Sequence, residues 1–208
     1  MKIQKNIIKI SSLIFFFIII FNTVYAKTTD KYNKSDKISN YFSGIISLYD
    51  NEYLTSYKHL KKLEGLEKNH LIYSQIYQHT LVNLKKFDKA YDFSKKIKNK
   101  NPNDFQSNLI IGLHYLKYRQ YKVASNYFQE LSRDTKQNNP LTNLLAISLN
   151  GWSIFPNIEK NEALNYLNKL PKNFGNVIKI QKTFAHCFYN SNNTQEEFIK
   201  LTSDKKTD

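Results

Sequence analysis

The chain has 208 residues, a formal net charge of +14, one cysteine and 15 Tyr with 14 Phe. A single cysteine excludes an intramolecular disulfide, so packing must hold the fold together. The lysines fall in scattered pairs, Lys61-Lys62, Lys85-Lys86 and Lys95-Lys96, rather than one stripe. They read as solvated helix faces and give no nucleic-acid surface.

The first 26 residues have the three-part layout of a secretory signal peptide. Lys2, Lys5 and Lys9 make a positive start, Leu13 to Phe21 is an unbroken apolar run, and Val24-Tyr25-Ala26 ends on a small residue. The reading predicts export to the periplasm or cell envelope of a bacterium. The apolar run is short for a bilayer span, which takes about 20 residues; an uncleaved membrane anchor is the competing reading. Cleavage after Ala26 leaves 182 residues and, with three lysines gone, a net charge of +11.

Residues 27–36 are polar without an apolar period and read as a disordered linker. Helical spacing then predicts a repeat domain over 37–203. Its first pair of helices covers 37–49 and 52–65, with Gly65 closing the second. The next covers 69–84, capped by Asn69, and 87–98, after which Asn101-Pro102 breaks the chain. Asp104 caps a third pair that ends near Arg133. Asn139-Pro140 opens a fourth, whose first helix is apolar nearly all round. Residues 153–157 form a longer connection to a helix over 160–170. A fifth pair covers 176–190 and a last helix through Leu201, opened by a Thr194/Glu197 capping box. Residues 204–208 are a charged tail. Cys187 lies between Phe184 and Phe188, which predicts burial.

The pairs are related by a fixed period. Ser56, Ala90 and Ala124 are spaced by 34, and so are Gly44, Gln78 and Gly112. Ala163 follows Ala124 by 39, and Glu197 follows Ala163 by 34. A small residue recurring at a helix crossing is the mark of helical repeats. The central repeat supplies Gly112, Tyr115, Tyr121, Ala124, Phe128 and Leu131. The one before it supplies Leu81, Phe87, Ala90, Ile97 and Pro102, departing at Gln78 and Ser94. The first supplies Gly44, Tyr53, Ser56, Leu60 and Leu63. In these residues the chain resembles the tetratricopeptide repeats. The resemblance implies an all-α, right-handed solenoid of about five antiparallel helix pairs, roughly ten helices.

The resemblance also implies a concave groove lined by the first helix of each pair. By repeat position its candidates are Tyr41, Ile45, Tyr49, Gln75, His79, Asn83, Leu109, Leu113, Lys117, Lys182 and His186. One subgroup clamps a C-terminal carboxylate with Lys and Asn on its first helix; Tyr41 and Ile45 stand there, and no such clamp is expected.

Nothing in the sequence points to catalysis. His59, His70, His79, His114 and His186 are dispersed, and no glycine-rich phosphate loop or nucleophile elbow occurs. No metal or cofactor is expected. The chain reads as an adaptor for a protein or peptide partner in the envelope. An anchored assembly factor, a module self-associating through its terminal repeat, and a hydrolase without a motif are the alternatives.

Overall fold

The computed structural model describes residues 34–133 and 139–203. Ten helices occur among them and no strand: α1 over 34–49, α2 Tyr53–Lys61, α3 Leu71–Asn83, α4 Phe87–Lys98, α5 Phe105–Lys117, α6 Tyr121–Arg133, α7 Pro140–Ile154, α8 Lys160–Leu167, α9 Gly175–Phe188 and α10 Thr194–Ser203. They are the first and second helices of five tetratricopeptide-like repeats. The segment read as a signal peptide (1–26), residues 27–33 of the linker and the tail 204–208 lie outside the described residues.

The ends of the helices follow local chemistry. Asp104 caps α5 by accepting from the Ser107 amide at 2.8 Å, and Asn139 caps α7 through the Leu141 amide at 2.9 Å. Residues 34–36, the last three of the expected linker, are helical. α2 stops at Lys61, four residues before Gly65, which holds a φ of 106°. Asn69 does not cap α3: a 3₁₀ turn over Leu66–Lys68 takes it up, and His70 Nδ1 accepts the Tyr73 amide at 3.1 Å instead. The expected capping box of α10 does not form. Thr194 donates its hydroxyl to the Ser191 carbonyl at 2.7 Å, and Glu197 pairs with Lys200 at 3.1 Å. Cys187 is exposed, as are Phe184 and Phe188, because α9 packs through Val177, Ile178, Ala185 and Tyr189.

One device closes the first helix of four repeats. Asn51, Lys85, Arg119 and Asn190 all have positive φ, between 49° and 60°. In three of them the following amide reaches back five residues: Glu52 to Ser47 at 2.8 Å, Gln120 to Tyr115 at 2.9 Å and Ser191 to His186 at 2.9 Å. This left-handed closure satisfies carbonyls that the helix end leaves bare. Asparagine suits the conformation; lysine and arginine hold it at some strain.

The chain falls into two compact bodies, one ending at Leu84 and the other starting at Lys85. In the N-terminal body, α1 and α2 meet at Gly44, where a Cβ would lie 2.6 Å from Leu60 Cδ2. Ser56, fully buried in the small-residue position, donates its hydroxyl to the Gly44 carbonyl at 2.8 Å. The C-terminal body makes the same kind of crossing twice. A Cβ on Gly112 would stand 2.5 Å from Phe128 Cε1, and one on Gly151 3.2 Å from Tyr166. Ala124 and Ala163 are buried on α6 and α8, the second helices of these crossings, and Ala90 is buried on α4. The core is a row of clusters rather than a centre. One holds Ala124, Phe128, Leu131 and Ala146; the next holds Leu144, Phe155, Ala163, Leu167, Leu170 and Ala185.

Polar ties mark the junctions between repeats. Asn150 on α7 accepts from Ser125 of α6 at 2.7 Å and donates to Tyr166 of α8 at 2.6 Å. Lys98 at the end of α4 reaches Asn108 of α5 and Glu130 of α6, each at 2.5 Å, with its ammonium 4.9 Å from the Tyr127 ring. Tyr91 of α4 stacks on His114 of α5 with centroids 3.7 Å apart, and its hydroxyl meets that of Tyr115 at 3.1 Å. Desolvation in this stack holds the His114 pKa below its ordinary 6.5, and Lys117 and Lys95 push the same way against Asp88 and Asp92.

Two outcomes follow from these contacts. Gly112→Val should lower stability by about 1–3 kcal/mol in urea denaturation, because the Phe128 ring cannot retreat from a packed cluster. Gly175→Ala, which meets nothing within 4 Å, should cost nothing and add up to about 1 kcal/mol of helix propensity. The second outcome concerns pH. A histidine with a depressed folded pKa binds fewer protons than in the unfolded chain, so its stabilisation is complete above about 6.5 and is lost as pH falls below it. The urea midpoint should drop between pH 7.5 and pH 5, and His114→Phe should flatten that drop.

Candidate functional site

The first helix of each repeat keeps one face free of its neighbours, and there the fold can carry function. In the N-terminal body α3 presents Gln75, His79 and Asn83, all exposed and four residues apart, so they stand in line along the helix. Asn83 turns its amide back to the His79 carbonyl at 2.9 Å. On α1, Tyr41 and Ile45 are half-buried, with the Tyr41 ring 5.1 Å from that of His70, and Tyr49 is 82% exposed. This face is polar and aromatic.

The C-terminal body is different. α5 exposes Leu113 and Lys117, while Leu109, one turn earlier, packs partly into the Phe128 cluster. On α7 the positions matching Leu109 and Leu113 hold Ser148 and Trp152, with Leu145 exposed one turn before Ser148. Trp152 donates its indole N–H to Gln181 of α9, and its ring meets Phe188 edge-on at 6.1 Å, so α7 and α9 lie side by side. Ser148 is 8% exposed, and its hydroxyl makes no hydrogen bond.

On α9 the face is set by its closing turn. Asn190 closes α9 as Arg119 closes α5: its own amide reaches three residues back and the following amide five. Aligned there, Thr183 takes the place of Gly112 and is likewise buried. Ile180, Phe184 and Phe188 then stand where Leu109, Leu113 and Lys117 stand, and all three are exposed. Lys182 and His186 fall on the packed side and are half-buried, with His186 Nδ1 3.3 Å from the Ser191 hydroxyl. The turn into α10 is two residues longer than the turn into α6. Counting back from Glu197 therefore slips the frame by two residues, about 200° around the helix. The structure thus groups Leu113 and Lys117 with Leu145, Trp152, Ile180, Phe184 and Phe188. The last five were not among the sequence candidates. The signal that finds the three on α9 is the Asn190 turn, not the 34-residue count; Trp152 follows from the 39-residue step between Ala124 and Ala163.

No protein-family model and no curated protein sequence matches the chain. Solved structures do. A fragment of MamA from residue 41 to its end, from Desulfovibrio magneticus RS-1, superposes with a TM-score of 0.66 at 17% identity, covering 83% of this chain and 97% of that one. MamA of MSR-1 superposes with a TM-score of 0.61 at 11% identity over 81% and 98%, and MamA of AMB-1 with 0.60 at 12% over 83% and 93%. The fold is a tetratricopeptide-like helical solenoid. At these identities the likeness establishes fold and nothing of partner or pathway.

The unpaired hydroxyl of Ser148 has a thermodynamic consequence. A buried polar group without a partner costs about 1–3 kcal/mol. Ser148→Ala should therefore leave the protein as stable or raise its stability by about 1 kcal/mol, read from the urea midpoint, without changing helical content.

Proposed function

We propose that this chain is a tetratricopeptide-repeat protein that works as a binding scaffold rather than an enzyme. Its C-terminal body holds an apolar segment of a protein partner along α5, α7 and α9. The observation that carries the reading is the exposure of Leu113, Ile180, Phe184 and Phe188 in one helical register, with Leu145 exposed on α7 beside them. Solvent-exposed aromatics and aliphatics in a contiguous set are unfavourable unless something covers them. They are also side chains of the kind that anchors an amphipathic helix or extended peptide in a groove. Lys117 and the basic balance of the chain favour acidic flanks on that segment. The leader-like layout of residues 1–26 supports a place in the bacterial envelope, with the anchored form as the alternative. Among the described residues no helix is long and apolar enough to cross a membrane. A mature N-terminus at Lys27, measured by mass spectrometry on the protein from its native source, decides for the exported form.

The only tryptophan of the chain, Trp152, is half-buried on this face and reports on its occupancy. A partner drawn from the native envelope should shift Trp152 emission to the blue. Phe184→Asp should weaken that binding at least tenfold, about 1.4 kcal/mol, while Lys122→Asp on α6 leaves it unchanged. Equal binding by both variants would remove the groove from the account.

A further inference from the structure

Every interior junction of this fold is made in one way. The second helix of a repeat lays its outward side chains on the first helix of the next. In the N-terminal body Tyr57 stacks on Tyr77 with centroids 6.0 Å apart. In the C-terminal body Tyr91 lies on His114 at 3.7 Å, Ser125 bonds Asn150 at 2.7 Å, and Leu149 packs against the Ala124–Phe128–Leu131 cluster. The register then defines what the first and last helices leave uncovered.

On α1, Phe42 holds the position of Ile76, Ile110 and Leu149, and Ile46 that of Thr80, His114 and Ser153. All six counterparts are buried or half-buried, whereas Phe42 and Ile46 are 58% and 60% exposed. On α10, Phe198 holds the position of Tyr57 and Tyr91, the residues that stack on the following repeat, and it is exposed. Its neighbour Ile199 is 57% exposed where the four earlier repeats carry Lys58, Asp92, Asn126 and Asn165. Terminal repeats of a solenoid ordinarily turn a polar face outward. Here both ends keep the apolar chemistry of an interior junction. They are also opposite in charge: Lys34 and Lys37 outnumber Asp36 on α1, and Glu196 and Glu197 outnumber Lys200 on α10.

We propose that these two ends bind each other between copies. α10 of one molecule seats on α1 of the next, with Phe198 and Ile199 against Phe42 and Ile46, as a second helix seats on a first helix inside the chain. The occupant of each face is thus a second copy of this protein. The contact is head to tail, so each copy offers one face of each kind and association continues past a pair, into rows or rings. It rests on α1 and α10 rather than on the groove; Phe198 meets the groove's Phe184 edge-on at 5.8 Å, so Ile199→Glu is the α10 variant that separates the two.

Equilibrium sedimentation of the protein, in the form its native source accumulates, tests the junction. The average mass should rise with concentration past that of a dimer. Ile46→Glu blocks one face and Phe198→Glu the other, so each variant alone should stay monomeric. An equimolar mixture of the two retains one intact junction and should stop at the dimer. If Phe198→Glu loses helical circular dichroism, Ile199→Glu takes its place. A wild-type protein that stays monomeric at high concentration would overturn the proposal. So would association that survives both substitutions, or that Ile46→Glu abolishes and Phe198→Glu and Ile199→Glu leave intact, which is pairing of α1 with α1.

Discussion

The distance between the two helices of a repeat governs the rest of the molecule. At Gly112 it is set by the absence of a side chain: the Phe128 ring occupies the space a Cβ would need. Dispersion contacts decay steeply with separation, so a gap of even half an ångström forfeits a sizeable part of each. Close approach lets Phe128 and Leu131 touch both helices of their own repeat and Ala146 of the next. The polar ties at Asn150 and Lys98 then span short gaps that their side chains can reach. Where the approach is met by serine rather than alanine, as at Ser56, the hydroxyl finds the Gly44 carbonyl, so the small polar residue leaves no buried donor bare.

Because each crossing is local, stability accumulates from neighbour to neighbour. This explains why the cores are separate clusters, and why an insertion of five residues between Ala124 and Ala163 is tolerated. The longer connection after α7 is held by Tyr189, whose hydroxyl lies 2.7 Å from the Phe155 carbonyl and 3.0 Å from that of Ile158. One tyrosine at the end of α9 thus donates to backbone carbonyls beside a buried aromatic ring.

The repeat architecture was legible in the sequence because close crossings demand small residues, and small residues at a fixed period are easy to count. Caps written in asparagine or aspartate at a proline or loop, Asp104 and Asn139, were legible for the same reason. What the sequence hid was decided by competition among short-range bonds. His70 displaced Asn69 as a cap because a 3₁₀ turn had already claimed the preceding residues. Thr194 and Glu197 each found a nearer partner than the other. The α9 face was hidden by a turn two residues longer than its counterparts. The period continues through it from Ala163 to Glu197, since the added residues lie between the two helices of one repeat and are offset elsewhere in the count. Lys182 and His186 were assigned to the groove on that count. The exposure of Cys187, Phe184 and Phe188 has the same cause: apolar neighbours in sequence say nothing of phase when the phase has slipped.

The separation of duties along a helix is what leaves room for a binding surface. On α5 the residues that set the crossing, Gly112 and Ile111, are fully buried, and those one and five places beyond Gly112, Leu113 and Lys117, touch little of the repeat. Positions of the second kind can change without disturbing the first, so the free face is a record of what covers it rather than of what holds the fold. α3 carries Gln75, His79 and Asn83 on that face, which water solvates well. α9 carries Ile180, Phe184 and Phe188, which water does not. Folding stability does not require that difference, since both faces lie apart from the buried crossing residues Gln78 and Thr183. It is the hydration cost of the α9 face, borne in the free protein and relieved on contact, that makes this end of the molecule the place to look for a partner.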